Sequence, residues 1–213
     1  MTDPSSAPGT IVVSGTGRVA VDPDVAELRL GVSIARPSVD AARAAAAEAM
    51  ASILAAVGAA GVVRRDVRTT LLSVQPRYDY RDGKAPTLTG YDLANVVEVT
   101  VRDLAILGGV VDGALNAGAT SLDGLTFRVS DPREAERAAR TAAVAEARAR
   151  AEVLAEAAGV VIAGVVGIVE GGAPPTWPQP KAARMMVAAE AGTPVEAGTT
   201  EIAVTVTVTF RLA

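Results

Sequence analysis

The sequence predicts an α+β protein with the element order ββαββαβαββ. Three observations carry that reading. Residues 26–34 and 202–212 alternate apolar with polar or small side chains at the two-residue period of half-buried strands. Asp131-Pro132-Arg133-Glu134 sets a capping carboxylate, a first-turn proline and an early glutamate ahead of a long Ala-rich run. Between these landmarks, strands two to five and their helices fall in the βαββαβ order of a ferredoxin-like plait.

From the start of the chain, Thr10–Val21 and Val25–Ala35 read as strands joined by the turn-forming triplet Asp22-Pro23-Asp24. Gly15-Thr16-Gly17 interrupts the first. No helix follows it to hold a phosphate, so it reads as a bulge or a close backbone approach. Ser38 caps a helix running to about Val57, whose apolar stripe includes Ala42, Ala46, Met50 and Ile53. Strand three is expected at about Val67–Val74 and strand four at about Asn95–Arg102, with a loop between them.

Asp103 is placed to cap a second helix, Leu104–Leu115, that stops at Asn116-Ala117-Gly118. Leu125, Phe127 and Val129 mark strand five. The third helix follows Asp131 and ends at Ala158, with Gly159 as its stop. Along it Glu136 with Arg140, and Glu146 with Arg150, have the favourable four-residue spacing. These charges read as a solvated face, with a docking surface as the other reading. Val160–Val169 is an apolar strand, residues 171–198 form a proline-rich arm, and the alternation from Ile202 to Leu212 closes the chain.

This divides the chain into an inner ferredoxin-like portion, about 25–130, and an outer portion from 11–24 plus 131–213. Residues 1–10 are expected to be a disordered tail.

Composition narrows the chemistry. Half the residues are apolar but only 3% are aromatic, so the interior must be built from Ala, Val, Leu and Ile. The chain has no histidine and no cysteine. That excludes thiolate nucleophiles, disulfides, Cys/His metal sites, imidazole bases and a Ser-His-Asp triad. Carboxylate, lysine and tyrosine chemistry stays open. Neither acidic pair, Asp22 with Asp24 or Asp79 with Asp82, forms a metal-loop pattern; turn chemistry explains both. No catalytic residue, metal ligand or cofactor site is therefore assigned.

The net charge of −4 carries no basic nucleic-acid footprint. The longest uncharged stretch, Ala49–Val63, is shorter than a membrane span of about 20 residues. The first ten residues have neither the basic nor the apolar part of a secretory signal, which gives a cytoplasmic expectation.

Several motifs occur together and in order. They are Gly15-Thr16-Gly17, Val21-Asp22-Pro23-Asp24, Pro76-Arg77-Tyr78-Asp79-Tyr80, Gly90-Tyr91, Val96–Val101 with Arg102-Asp103-Leu104, and Gly124–Pro132. Over about residues 11 to 212 the chain resembles the SIMPL-domain family, which includes YggE-like bacterial proteins and a periplasmic immunogen. The resemblance implies the SIMPL-domain fold, an association with oxidative-stress defence, and precedent for ring-like or channel-like oligomers. It implies no reaction. Many family members are exported, in tension with the cytoplasmic expectation.

Two groups are candidates for protein contact. Tyr78, Tyr80 and Tyr91 cluster around the strand-three to strand-four loop, either as a contact surface or as rings covering the core edge. Trp177, Met185 and Met186 lie in the proline-rich arm, which reads either as an anchor on a neighbouring subunit or as a mobile surface loop. The two methionines could also consume oxidant as sulfoxides, at poor stoichiometry.

The expected function is a non-enzymatic, self-associating protein, a homo-oligomer. A protein-binding adaptor with an unidentified partner, suggested by the name of the family's animal relative, is a second reading. A small-ligand binder or enzyme using carboxylate, Arg or Tyr groups is a third.

Overall fold

The computed structural model describes residues 9–80, 85–171 and 193–213. Its strands and helices, in chain order, are β1 (Thr10–Val21), β2 (Val25–Arg36), α1 (Val39–Ala59), β3 (Val67–Asp79), β4 (Thr87–Val101), α2 (Leu107–Asn116), β5 (Ser121–Arg128), α3 (Arg133–Ala158), β6 (Ile162–Glu170) and β7 (Thr200–Leu212). This is the expected ββαββαβαββ order. Two antiparallel sheets result, β3-β4-β2-β5 and β1-β7-β6, so the triplet Asp22-Pro23-Asp24 links strands of different sheets. The described residues divide into two compact units.

The central unit takes described residues within 23–128 together with 193–197. Its βαββαβ run places β4 between β2 and β3 in the sheet, a split βαβ arrangement. The alternation in β2 drives Ala26, Leu28, Leu30 and Val32 into the core, opposite Val97, Val99 and Val101 of β4. Fully burying side chains such as Leu28, Leu30 and Ile53 is worth about 1.5–3 kcal/mol each.

Helix α1 starts where Ser38 Oγ accepts from Ala41 N–H, and buries Ala42, Ala46, Met50, Ile53 and Val57. Among the described helices it is the one long and apolar enough to cross a membrane by length and composition. Its stripe nevertheless forms one wall of this core. A 3₁₀ turn, Leu104–Ile106, precedes α2, and Asp103 accepts from Ala105 N–H. The chain returns to this unit at Thr193, whose N–H and hydroxyl donate to Asp112 of α2 at 3.0 and 2.5 Å. Val195 then packs on the core.

The terminal unit takes described residues of 9–22, 129–171 and 198–213. Strand β7 lies in the middle, with β1 and β6 at the edges. Val204, Val206, Val208 and Phe210 of β7 face α3, which presents Ala139, Ala143, Ala147 and Ala151 at four-residue spacing. The expected interruption at Gly15-Thr16-Gly17 is a close approach and not a bulge: the β1–β7 register runs unbroken from Thr10↔Arg211 to Val21↔Thr200. A methyl on Gly15 would stand 2.1 Å from Ala143 O, so α3 rests its backbone on this part of β1. Gly159 ends α3 in the left-handed region at φ 68°, where L side chains are disfavoured.

Candidate functional site

Strand β3 is longer than expected. Pro76 and the charges around it suggest a loop, yet pairing with β4 continues to Asp79↔Thr87. An edge strand tolerates proline because it need not use every N–H in a ladder. The tyrosines therefore sit on a hairpin ribbon and not in an open loop. Tyr78 lies opposite Leu88, and Tyr91 opposite Pro76 and Arg36. Tyr80 follows the end of β3, and residues 81–84 lie outside the described residues.

The ribbon brings Tyr78 and Tyr80 together, with ring centroids 6.3 Å apart and planes tilted by 58°. That is within the range of favourable aromatic pairs. Tyr80 is 76% exposed and Tyr78 43%, whereas Tyr91 is half-buried and belongs to the body of β4. The Arg77–Asp92 ion pair at 2.9 Å and a hydrogen bond from Thr89 Oγ1 to Arg77 O tie the two strands beneath the rings. Leu71, Leu72, Val74 and Leu88 are also exposed on this ribbon, Leu72 and Val74 on the face opposite Tyr78 and Leu88. Trp177, Met185 and Met186 lie outside the described residues.

A second apolar surface went unnoticed in the sequence. Helix α3 packs mainly on β1 and β7 and touches β6 only slightly; Val165, Val166, Ile168 and Val169, on both faces of that strand, are all more than half exposed. The sequence marks this segment only as an apolar strand; how little of it is covered follows from the packing of α3.

The charged groups are structural in arrangement. Arg102 Nε and Nη2 clamp the Asp66 carboxylate with bonds of 2.8–3.1 Å, and this clamp holds the Asp66 carboxyl below its ordinary pKa. Asp131 accepts from both the guanidinium and the backbone N–H of Arg133, which lowers its pKa to about 2. Among the described residues no group of three Asp or Glu is placed to hold a metal ion. An open furrow of about 590 Å³ beside α3 is lined by Val13, Ser14, Ala149, Val153 and Leu154, with Glu146 and Arg150 at its wall.

Comparison with known proteins agrees with the motif likeness. Residues 11–210 match the SIMPL family, described as a protein of unknown function (DUF541). The 26 kDa periplasmic immunogenic protein of Brucella melitensis is 36% identical over 217 residues, 98% of this chain and 86% of that protein. The uncharacterized protein YggE of Escherichia coli is 36% identical over 145 residues, covering 68% of this chain and 58% of its own length. YggE of Edwardsiella ictaluri is 30% identical over 159 residues, 74% of this chain and 66% of that protein. The Brucella protein's name places it in the periplasm, which gives the cytoplasmic expectation no support.

Proposed function

The chain belongs to the SIMPL (DUF541) family, and from that premise we propose a non-enzymatic protein that works by associating with copies of itself. One observation carries this reading: β3 and β6 are edge strands that leave large apolar side chains in water. Edges of this kind accept further strands, and natural chains usually blunt them. Strand β6 carries a single charge, Glu170, already paired with Arg140 at 3.1 Å. The absence of His and Cys adds support by removing the commonest catalytic side chains.

Light scattering on the purified protein across a dilution series tests the reading. An assembly that survives dilution supports it, and a monomer at every concentration overturns it. The link to oxidative-stress defence belongs to the same reading. Peroxide survival of a deletion strain, restored by the intact gene, tests that part. A periplasmic address is extended from the relatives' name on the same footing, and cell fractionation decides it.

The exposed Tyr78–Tyr80 pair favours a second reading, an adaptor that binds another protein through this ribbon. Capture of a partner that is lost in a Tyr78→Ala/Tyr80→Ala variant would support it. Unchanged capture would not.

A further inference from the structure

We propose that Glu146 and Arg150 of α3 close the free edge of β1 against strand addition by a second copy of this chain. The geometry starts with two hydroxyl pairs. Ser14 Oγ meets Thr207 Oγ1, and Thr16 Oγ1 meets Thr205 Oγ1, each at 3.0 Å. Side chains approach this closely at the non-hydrogen-bonded pairs of an antiparallel ladder, where the backbone groups turn away from the partner strand. The N–H and C=O of Ser14 and Thr16 therefore point outward, to the open edge of the sheet.

Two of those outward groups are already taken. Thr16 N–H donates to Glu146 Oε2, and Arg150 Nη1 donates to Ser14 O at 2.6 Å. Arg150 Nη2 donates to Glu146 Oε1 at 2.6 Å and completes the circuit. One acceptor and one donor, four residues apart on a helix, thus stand where a neighbouring strand would put its own C=O and N–H. An incoming strand must displace both, along with the ion pair between them. Gly15 and Gly17 make this possible, because only their missing side chains let α3 come low enough for these groups to reach the strand.

The edge needs such a guard. The furrow beside it is apolar, with Val153 66% and Leu154 50% exposed, and would welcome the side chains of an added strand. The guard acts at β1 alone. It therefore stands or falls separately from self-association through β3 or β6.

The test uses the full-length chain in three forms: wild type, Glu146→Ala/Arg150→Ala, and the reversed pair Glu146→Arg/Arg150→Glu. The reversal keeps an ion pair on the helix but sets a donor against Thr16 N–H. In the wild type, amide exchange at Thr16 is expected to be slower than at Arg18, which shares the same edge. In both variants it should rise about tenfold or more, and light scattering should give a concentration-dependent mass at least about twice that of the wild type. Wild-type exchange at Thr16 as fast as at Arg18 overturns the proposal. So does faster exchange in a folded variant whose mass stays at the wild-type value at every concentration. If the alanine variant does not fold, the reversed pair and the wild-type comparison decide.

Discussion

Gly17 of β1 and Ala139 of α3 lie in backbone contact: a methyl added at Gly17 would stand 1.9 Å from the Ala139 carbonyl oxygen. No rotamer relieves such a clash, because both partners are main chain.

Gly17→Ala should therefore destabilise the protein by at least about 1–3 kcal/mol, the cost of overpacking a tight interface. Gly164→Ala makes a fitting control, since a methyl there meets nothing within 4 Å. It should be neutral or stabilising by up to about 1 kcal/mol. Urea unfolding of both variants checks the contrast. Equal effects would mean that α3 does not rest on β1 in this way.

Asp66→Asn tests the clamp to Arg102. The loss should be about 1 kcal/mol at pH 7, below the roughly 1.5–3 kcal/mol typical of a charged hydrogen bond, because Arg102 is more than half open to water. Since the folded pKa of Asp66 is lowered, its contribution is fully present above the unfolded value near 3.9 and fades as pH falls through the folded value. The gap between wild type and variant should narrow in acid. Denaturation curves at pH 7 and pH 3 would show it.

Asp131→Ala removes the acceptor at the start of α3 and should lower Tm by a few degrees. The wild-type advantage is present above about pH 4 and disappears as pH falls toward the folded pKa of about 2. An NMR titration of the Asp131 carboxyl that finds an ordinary midpoint would refute the pairing.

Asn95→Val should stabilise the protein by about 1 kcal/mol. Among the described residues, Asn95 Oδ1 is the buried side-chain polar atom that lacks a hydrogen-bond partner. It lies in β4 opposite Val32 and Leu72, where a β-branched apolar residue fits. A lower urea midpoint in the variant would show that the carbonyl is satisfied in solution.

Local chemistry made most elements legible. Ser38 and Asp103 cap helical turns as expected, and Gly159 stops α3. Before α3 the cap position falls on Pro132 and not on Asp131, which lies one residue outside and accepts from Arg133 N–H. Where chemistry is non-local the reading falls short. Pro76 suggests a loop because local rules cannot tell an edge strand from a central one. The first helical turn after Asp103 is 3₁₀ and not α. The spacing of Glu146 and Arg150 foretells their ion pair, but their bonds to Thr16 and Ser14 join parts of the chain 130 and 136 residues apart. The exposure of β6 is hidden for the same reason, since an apolar run does not say how much its neighbours will cover it.

The pairing of β1 with β7 also has a meaning in time. Ser14 and Thr207 touch across 193 positions of sequence, and β7 is the strand that holds β1 and β6 in one sheet. During synthesis β1 leaves the ribosome early and must wait, its ladder unmade, until β7 emerges. At 5–20 residues per second, roughly, that wait lasts about 10–40 seconds. All four strands of the central sheet are finished before β6 exists, so that sheet can form while the other is still open. In that interval the newborn β1 has neither its ladder partner nor, until α3 is made, the side chains that guard its edge. This is the period when a chaperone, or a neighbouring nascent chain, would meet it.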